Sequence, residues 1–291
     1  MSWLITGGSG QLGIALSHEL GERGLQFDSW SSQDLDVTKG PIVQDVIAQL
    51  SPNVILNCAA WTDVDGAESN EQQAFRVNRD GAENIALAAK NCSAKLIHIS
   101  TDYVFSGEGD TPWQVNGQIN PQSVYGRTKA EGESRLLATY PGDASIVRTA
   151  WLYSPWGRNF AKTMTRLALR EEGEVPVVND QIGQPTSATD LAKQLVELGL
   201  SNSPVGIYHG TNSGQTTWFE FAKEIFKLSG ADESRVIPIS TAEFPRVAKR
   251  PAYSVLDHEA WTKSAVPAMR DWQIALADAI PAIISVVKAG Q

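Results

Sequence analysis

Cysteine is almost absent: the 291 residues contain two, Cys58 and Cys92, and neither sits at metal-ligand spacing. A disulfide scaffold and a zinc centre are therefore excluded, and a reducing, cytoplasmic setting is expected. Positive charge is also in deficit, with 24 Lys and Arg against 33 Asp and Glu and a net charge of −9. That balance excludes a general nucleic-acid binder, and an anionic small molecule would need a local basic pocket. No apolar run approaches the roughly 18 residues of a membrane span, so no membrane association is expected. The opening Met1-Ser2-Trp3-Leu4-Ile5-Thr6 lacks the basic segment and long apolar stretch of a signal peptide. Internal repeats and low-complexity tracts are missing too. What is left is an ordinary composition, 42% hydrophobic and 20% charged, in a chain long enough for two units.

Glycine is placed where it carries information. Ser2 to Thr6 reads as a buried strand and runs into Gly7-Gly8-Ser9-Gly10-Gln11-Leu12-Gly13, followed by a helical pattern to about Glu22. Glycines at a strand–turn–helix junction permit a tight turn and close backbone approach to a pyrophosphate, which then sits at the helix N-terminus. Gly7, Gly10, Gln11, Leu12 and Gly13 are thus expected to hold a dinucleotide, although a plain glycine-rich turn would look the same. The second strand, Leu25 to Trp30, ends at Ser31 and Ser32 rather than at the acid that would hold a ribose 2′-hydroxyl. This corner favours NADPH with NADH tolerated. Asp36 and Val37 are placed to bracket the adenine, or Asp36 caps a turn. Small residues after the strand Asn53 to Asn57, namely Cys58, Ala59 and Ala60, let a cofactor lie against the backbone. Asn78 lies within a long helix expected over Glu71 to Lys90. Asp63 and Asp65 invite a calcium loop, but Gly66 comes too early and no glutamate closes it, so no metal is expected.

Tyr125 and Lys129 stand four residues apart in a helix expected from about Ser123 to Tyr140, on one face. An ammonium there can stabilise a phenolate and lower the tyrosine pKa, and such a phenol can exchange a proton with a carbonyl oxygen. The pair alone is weak, since surface packing gives the same spacing. Thr101, at the end of the strand Lys95 to Ile99, faces the ligand crevice of a parallel sheet and supplies a third polar group. Ser145 to Thr149 is the next strand. Strands alternating with helices make an α/β, Rossmann-type, doubly wound parallel sheet. The expected division is a dinucleotide-binding unit over 1–153, to which 187–212 return, and a smaller mixed α/β substrate-binding lobe over 154–291. In that lobe Arg246, Lys249 and Arg250 form a basic cluster, a contact for an anionic substrate or simply a solvated loop. Closing helices are expected over Asp257 to Lys263 and Arg270 to Val287.

Taken together, these motifs resemble the extended short-chain dehydrogenase/reductase superfamily and, within it, the dTDP-4-dehydrorhamnose reductase family. The likeness runs nearly end to end. Its most specific parts are Ser100-Thr101-Asp102-Tyr103-Val104-Phe105 and Asn179-Asp180-Gln181 with Gly183 and Pro185-Thr186. Asn57 to Asp65, Arg148-Thr149-Ala150-Trp151 and Arg250-Pro251 with Ser254 add to it. The resemblance implies reduction of the C4 ketone of a dTDP-4-keto-6-deoxy sugar in dTDP-L-rhamnose biosynthesis. Hydride would come from NADPH or NADH, the proton from Tyr125, and Lys129 would hold the nicotinamide ribose. Thr101 would hydrogen-bond the reacting oxygen or Tyr125. Val64, Asp65, Tyr103 and Trp151 would line the sugar pocket, with Arg250 as anion contact. Relatives are sometimes fused to the preceding 3,5-epimerase, so that enzyme is an expected partner or fusion. Some members bridge a dimer through Mg2+ with an acid in the first helix; here that helix begins Ile14-Ala15-Leu16, and no metal-linked dimer is expected.

Two other readings remain at this level. A sugar-nucleotide epimerase shares the superfamily, and the regulatory subunit of methionine adenosyltransferase resembles the reductase while serving as a binding partner. A dehydratase is disfavoured, because Asp102 is followed by Tyr103 where an acid–base pair would be needed.

Overall fold

Alternation within the first strand sets the architecture of the computed structural model, which describes residues 1–170 and 172–290. Trp3 and Ile5 of β1 (Ser2–Thr6) point into one hydrophobic core and Leu4 into another. A strand buried on both faces belongs at the centre of a parallel sheet. The remaining central strands are β2 (Gln26–Trp30), β3 (Val54–Asn57), β4 (Lys95–Thr101), β5 (Ala144–Thr149) and β6 (Ile207–His209). Their spatial order is β6-β5-β4-β3-β1-β2, parallel throughout. The order reverses between β1 and β3, and ligands of such sheets bind at that switch, beyond the carboxyl ends of the strands.

In chain order the principal helices are α1 (Gln11–Glu22), α2 (Gly40–Leu50), α3 (Val64–Ser69), α4 (Gly81–Cys92), α5 (Val124–Thr139), α6 (Phe160–Ala168), α7 (Ala188–Leu200), α8 (Trp218–Leu228) and α9 (Trp272–Ala289). One sheet face is covered by α1 and α7, through Leu16, Leu20, Leu191 and Leu195. The other carries α2, α4 and α5, through Val43, Ile47, Ile85, Ala86 and Leu136. A third core, around Tyr153, Phe221, Phe226, Trp272, Leu276 and Ile280, joins α6, α8 and α9. Two short parallel strands, Val175–Val178 and Val236–Ile239, flank it. By length and composition α9 could cross a membrane. Here its Trp272, Leu276, Ile280, Ile283 and Val287 form an apolar stripe packed into the third core.

Two expected helices differ. The long helix over Glu71 to Lys90 is interrupted by a wider π turn, Arg76–Asp80, before α4 begins at Gly81. The buried Asn78 explains it: its side chain accepts from the Trp61 N–H (2.8 Å) and donates to the Thr128 hydroxyl (2.9 Å). Over Asp257 to Lys263 only a 3-10 turn forms, at Glu259–Lys263. Asp257 is held instead by its N–H on the Trp113 carbonyl and its carbonyl on His209 Nδ1.

Candidate active site

The glycine turn is built by close approach. Gly7 has φ +69°, and a Cβ there would lie 2.7 Å from the Cys58 carbonyl carbon. A Cβ on Gly13 would lie 2.4 Å from the Gly7 oxygen, so α1 sits directly on the turn. Helix α1 starts behind Gly10 with no side-chain cap, leaving its first N–H groups free for an anion.

These groups open onto a cavity of about 730 Å³. Ser32, Leu35, Asp36 and Val37 close one end; Gly7, Gly10, Gln11, Leu12 and Gly13 line the middle opposite Cys58, Ala59 and Ala60. Thr101, Tyr125 and Lys129 meet at the far side, with Val64, Tyr103 and Trp151 beyond them. Thr101 ends β4, while Tyr125 and Lys129 share a face of α5, whose Ser123 cap accepts from the Gly126 N–H. The Tyr103 and Tyr125 rings meet edge to face, centroids 5.5 Å apart.

The electrostatics depart from the sequence expectation at one point. Lys129 does not pull Tyr125 down. Burial pushes the phenol up to about 12, with a Thr101 hydrogen bond opposing and the Asp102 charge adding to it. The lysine amine turns toward β4, donating to the Ile99 carbonyl at 2.6 Å and standing 3.3 Å from His98 Nε2. Burial brings Lys129 down to about 8, with the Glu133 charge opposing. Asp102 is raised by burial to about 6, opposed by hydrogen bonds from Thr101 and Ser254. Cys58 is pushed up to about 12 by burial, which keeps it a neutral thiol.

Four expected contacts stand off the cavity wall. The Ser31 hydroxyl donates to Asp34 (2.7 Å), leaving Ser32 alone to line the ribose corner. Asn78 lies behind the wall, tying the Trp61 loop to α5. Asp65 binds Arg246 and Arg250 and accepts from the Ala248 N–H at 3.1 Å, so it clamps the 246–250 segment. Arg250 donates to Asp65 at 2.9 Å and its charge acts on the Tyr103 phenol; among the described residues its buried Nη1 has no partner. Among the described residues no cluster of His, Cys, Asp and Glu could hold a metal.

Other lining residues escaped the sequence reading. Trp218, first in α8, stacks on Trp151 with centroids 3.5 Å apart, and Trp151 itself has φ +45°. Arg158 lines the cavity next to Gly157, on a loop bound to Gln11 through Ser154 and Asn159. A cation inside a glycine-containing loop of an acidic chain was the available signal. Asp102 also lines the cavity, next to Thr101, whose hydroxyl donates to it at 2.9 Å.

The RmlD substrate binding domain model matches residues 1–284. The chain is 44% identical to a dTDP-4-dehydrorhamnose reductase of Streptomyces griseus over 97% of its length and 93% of that protein. It is 42% identical to a dTDP-4-keto-6-deoxy-D-glucose reductase of Streptomyces niveus, covering 96% of each. Among solved structures, it matches a dTDP-4-dehydrorhamnose reductase of Bacillus anthracis in complex with NADP with TM-score 0.92 and 38% identity, over 96% of this chain and 98% of that one. With the fold, the glycine turn and the Tyr125–Lys129 face in place, the chain belongs to the RmlD substrate-binding domain family.

Proposed function

We propose that this chain is an NADPH-dependent reductase that converts the C4 ketone of dTDP-4-dehydro-6-deoxy-L-mannose to the alcohol of dTDP-L-rhamnose. One observation carries the reading: Thr101, Tyr125 and Lys129 open onto the same cavity as an uncapped helix N-terminus behind a glycine turn. The cradle at Gly7 and Gly13, which a Cβ would fill, fits a dinucleotide pyrophosphate. The free N–H groups of α1 would hold the phosphates, Arg158 would add charge, and Lys129 would hold the nicotinamide ribose. NADPH, when bound, supplies hydride to the carbonyl carbon. The protein's part is to hold the ketone beside Tyr125, whose hydroxyl transfers its proton to the carbonyl oxygen and leaves a phenolate. A phenol held near 12 stays protonated at neutral pH, the state a proton donor needs. Thr101 orients the same oxygen, and stacked Trp151 and Trp218 offer an apolar face to the deoxysugar. In this reading 1–153 with 187–212 hold the cofactor, and 154–291 mainly bind substrate.

A second substrate follows from the 42% relative named for the D-gluco epimer. NADPH oxidation should be followed with dTDP-4-keto-6-deoxy-L-mannose and, separately, with dTDP-4-keto-6-deoxy-D-glucose. One NADPH should be consumed per ketone, with the L-manno substrate preferred; catalytic recycling would mean an epimerase, and no consumption a binding subunit. Tyr125→Phe should lower kcat on the order of 10²–10⁴-fold while keeping NADPH affinity. Unchanged turnover would remove Tyr125 from the mechanism.

A further inference from the structure

A buried polar chain crosses the sheet beneath the site and is not used by the chemistry above. The Thr6 hydroxyl of β1 donates to the Oδ1 of the Asn57 side-chain amide of β3 at 2.7 Å. That amide lies 2.9 Å from His98 Nδ1 of β4, and His98 Nε2 lies 3.3 Å from Lys129 Nζ. Thr6, Asn57, His98 and Lys129 are each at most 2% exposed. Water therefore cannot substitute for a missing partner, and the hydrogen-bond inventory must close internally.

That inventory fixes the protons. Burial beside Lys129 holds His98 well below its usual range, so the ring is neutral with one N–H. As placed, the Asn57 nitrogen faces Nδ1, so the ring proton would sit on Nε2 and point at the ammonium, donor against donor. The nitrogen and oxygen of an amide exchange by a half-turn with no change of shape. With Asn57 Oδ1 toward the ring, Nδ1–H donates to it, Asn57 Nδ2 donates to the Thr6 hydroxyl, and Nε2 is free to accept from Lys129. We propose that His98 is a positioning residue for the catalytic lysine: its Nε2 accepts from the Lys129 ammonium, and its Nδ1–H, through Asn57, anchors that ammonium to the strand leading into the glycine turn.

Every charged group facing the amine agrees with this role. Glu133, one turn along α5, is occupied by both arms of Arg148 from β5, at 2.9 and 2.7 Å. Cys58, beyond β3, is a neutral thiol. Tyr125 on α5 is a neutral phenol near neutral pH, and Asp102 acts on that phenol rather than on the amine. Among the described residues, only His98 and the Ile99 carbonyl are placed to accept from the ammonium.

The inference rests on the reductase reading for its kinetic arm alone. In the kinetic arm, the alkaline limb of kcat/KM reports loss of the Lys129 proton. His98→Gln places an acceptor near Nε2, whereas His98→Asn keeps only the contact toward Asn57 and His98→Leu keeps neither. The limb should stay in place in the Gln variant and move down by roughly one to two pH units in the Asn and Leu variants. Equal shifts in all three, or none, would overturn the proposal. The second arm needs no turnover: ¹⁵N imidazole spectra of the wild-type protein, with His98 assigned among the four histidines by its absence in His98→Gln. The proton should lie on Nδ1 between pH 6 and 8; a proton on Nε2 overturns the proposal whether or not the protein is a reductase. An inactive wild-type chain would sink the functional reading and leave the spectrum to decide this one.

Discussion

Lys129 shows most clearly how position and environment divide. Its spacing from Tyr125 was legible because a helix repeats locally, but its direction was not, since the Ile99 carbonyl and His98 belong to a strand that the helix meets only in the fold. Spacing suggested that the ammonium would act on the phenol; burial of both groups dominates, and they shift in opposite directions, Tyr125 up and Lys129 down. The lysine carries a stability cost with a definite sign. Its folded pKa of about 8 lies below the ordinary 10.5, so between those values the unfolded chain binds the extra proton. Wild-type stability from this group therefore rises with pH across that window and is lost as pH falls through 8. Lys129→Met removes the cost along with the activity. Measured by urea unfolding, the variant's stability relative to wild type should be greatest near pH 7 and decline by pH 10.5. A difference that does not change with pH would mean the amine is hydrated in the folded state.

Among the elements, those defined by neighbouring residues could be read directly: β1, the glycine turn, α1 and α5 follow from patterns a few residues long. The stretch after β3 that leads into α3 could not. The family resemblance implied a sugar contact for Asp65, while its partners Arg246, Ala248 and Arg250 lie at the other end of the chain, and nothing local announces them. The π turn at Arg76–Asp80 was hidden for the same reason, because Asn78 answers to Trp61 and Thr128 rather than to its own helix. Trp218 opens α8, and its stacking on Trp151 goes with a left-handed backbone at residue 151 that no local pattern announces. The Asp65 clamp is partly exposed, with side-chain accessibilities of 23% for Asp65 and 44% for Arg246, so its worth is about 1 kcal/mol or less. Its effect should be local. Asp65→Asn should leave the melting temperature nearly unchanged while trypsin cuts faster after Arg246 and Lys249. Equal cleavage rates would show that the segment is held by something else.

On the scale of the whole molecule, a chain of net charge −9 that takes an anionic cofactor and an anionic substrate needs cations placed locally. Arg158 lines the cavity, while Arg250, whose charge acts on the Tyr103 phenol, has a buried Nη1 without a partner among the described residues. The cavity also draws its walls from distant parts of the chain. Gly7 to Gly13 come from the turn between β1 and α1, whereas Gly157, Arg158 and Trp218 come from the third core or the loop before it. Gln11 accepts hydrogen bonds from Ser154 and Asn159, and Asp65 clamps the 246–250 segment from the sheet side. A ligand that touches both walls should therefore stabilise both halves as one cooperative unit. NADPH at a hundred times its Kd should raise the unfolding free energy by about 2.7 kcal/mol. The rise should appear as one shifted transition. Trp3 reports from the sheet core and Trp272 from the third core, so single-tryptophan versions of each can be melted separately. Coincident melts that move together on adding NADPH are expected. A Trp272 transition that stays in place while that of Trp3 shifts would show that the cofactor is held by the sheet half alone, with the second lobe answering only to the sugar nucleotide.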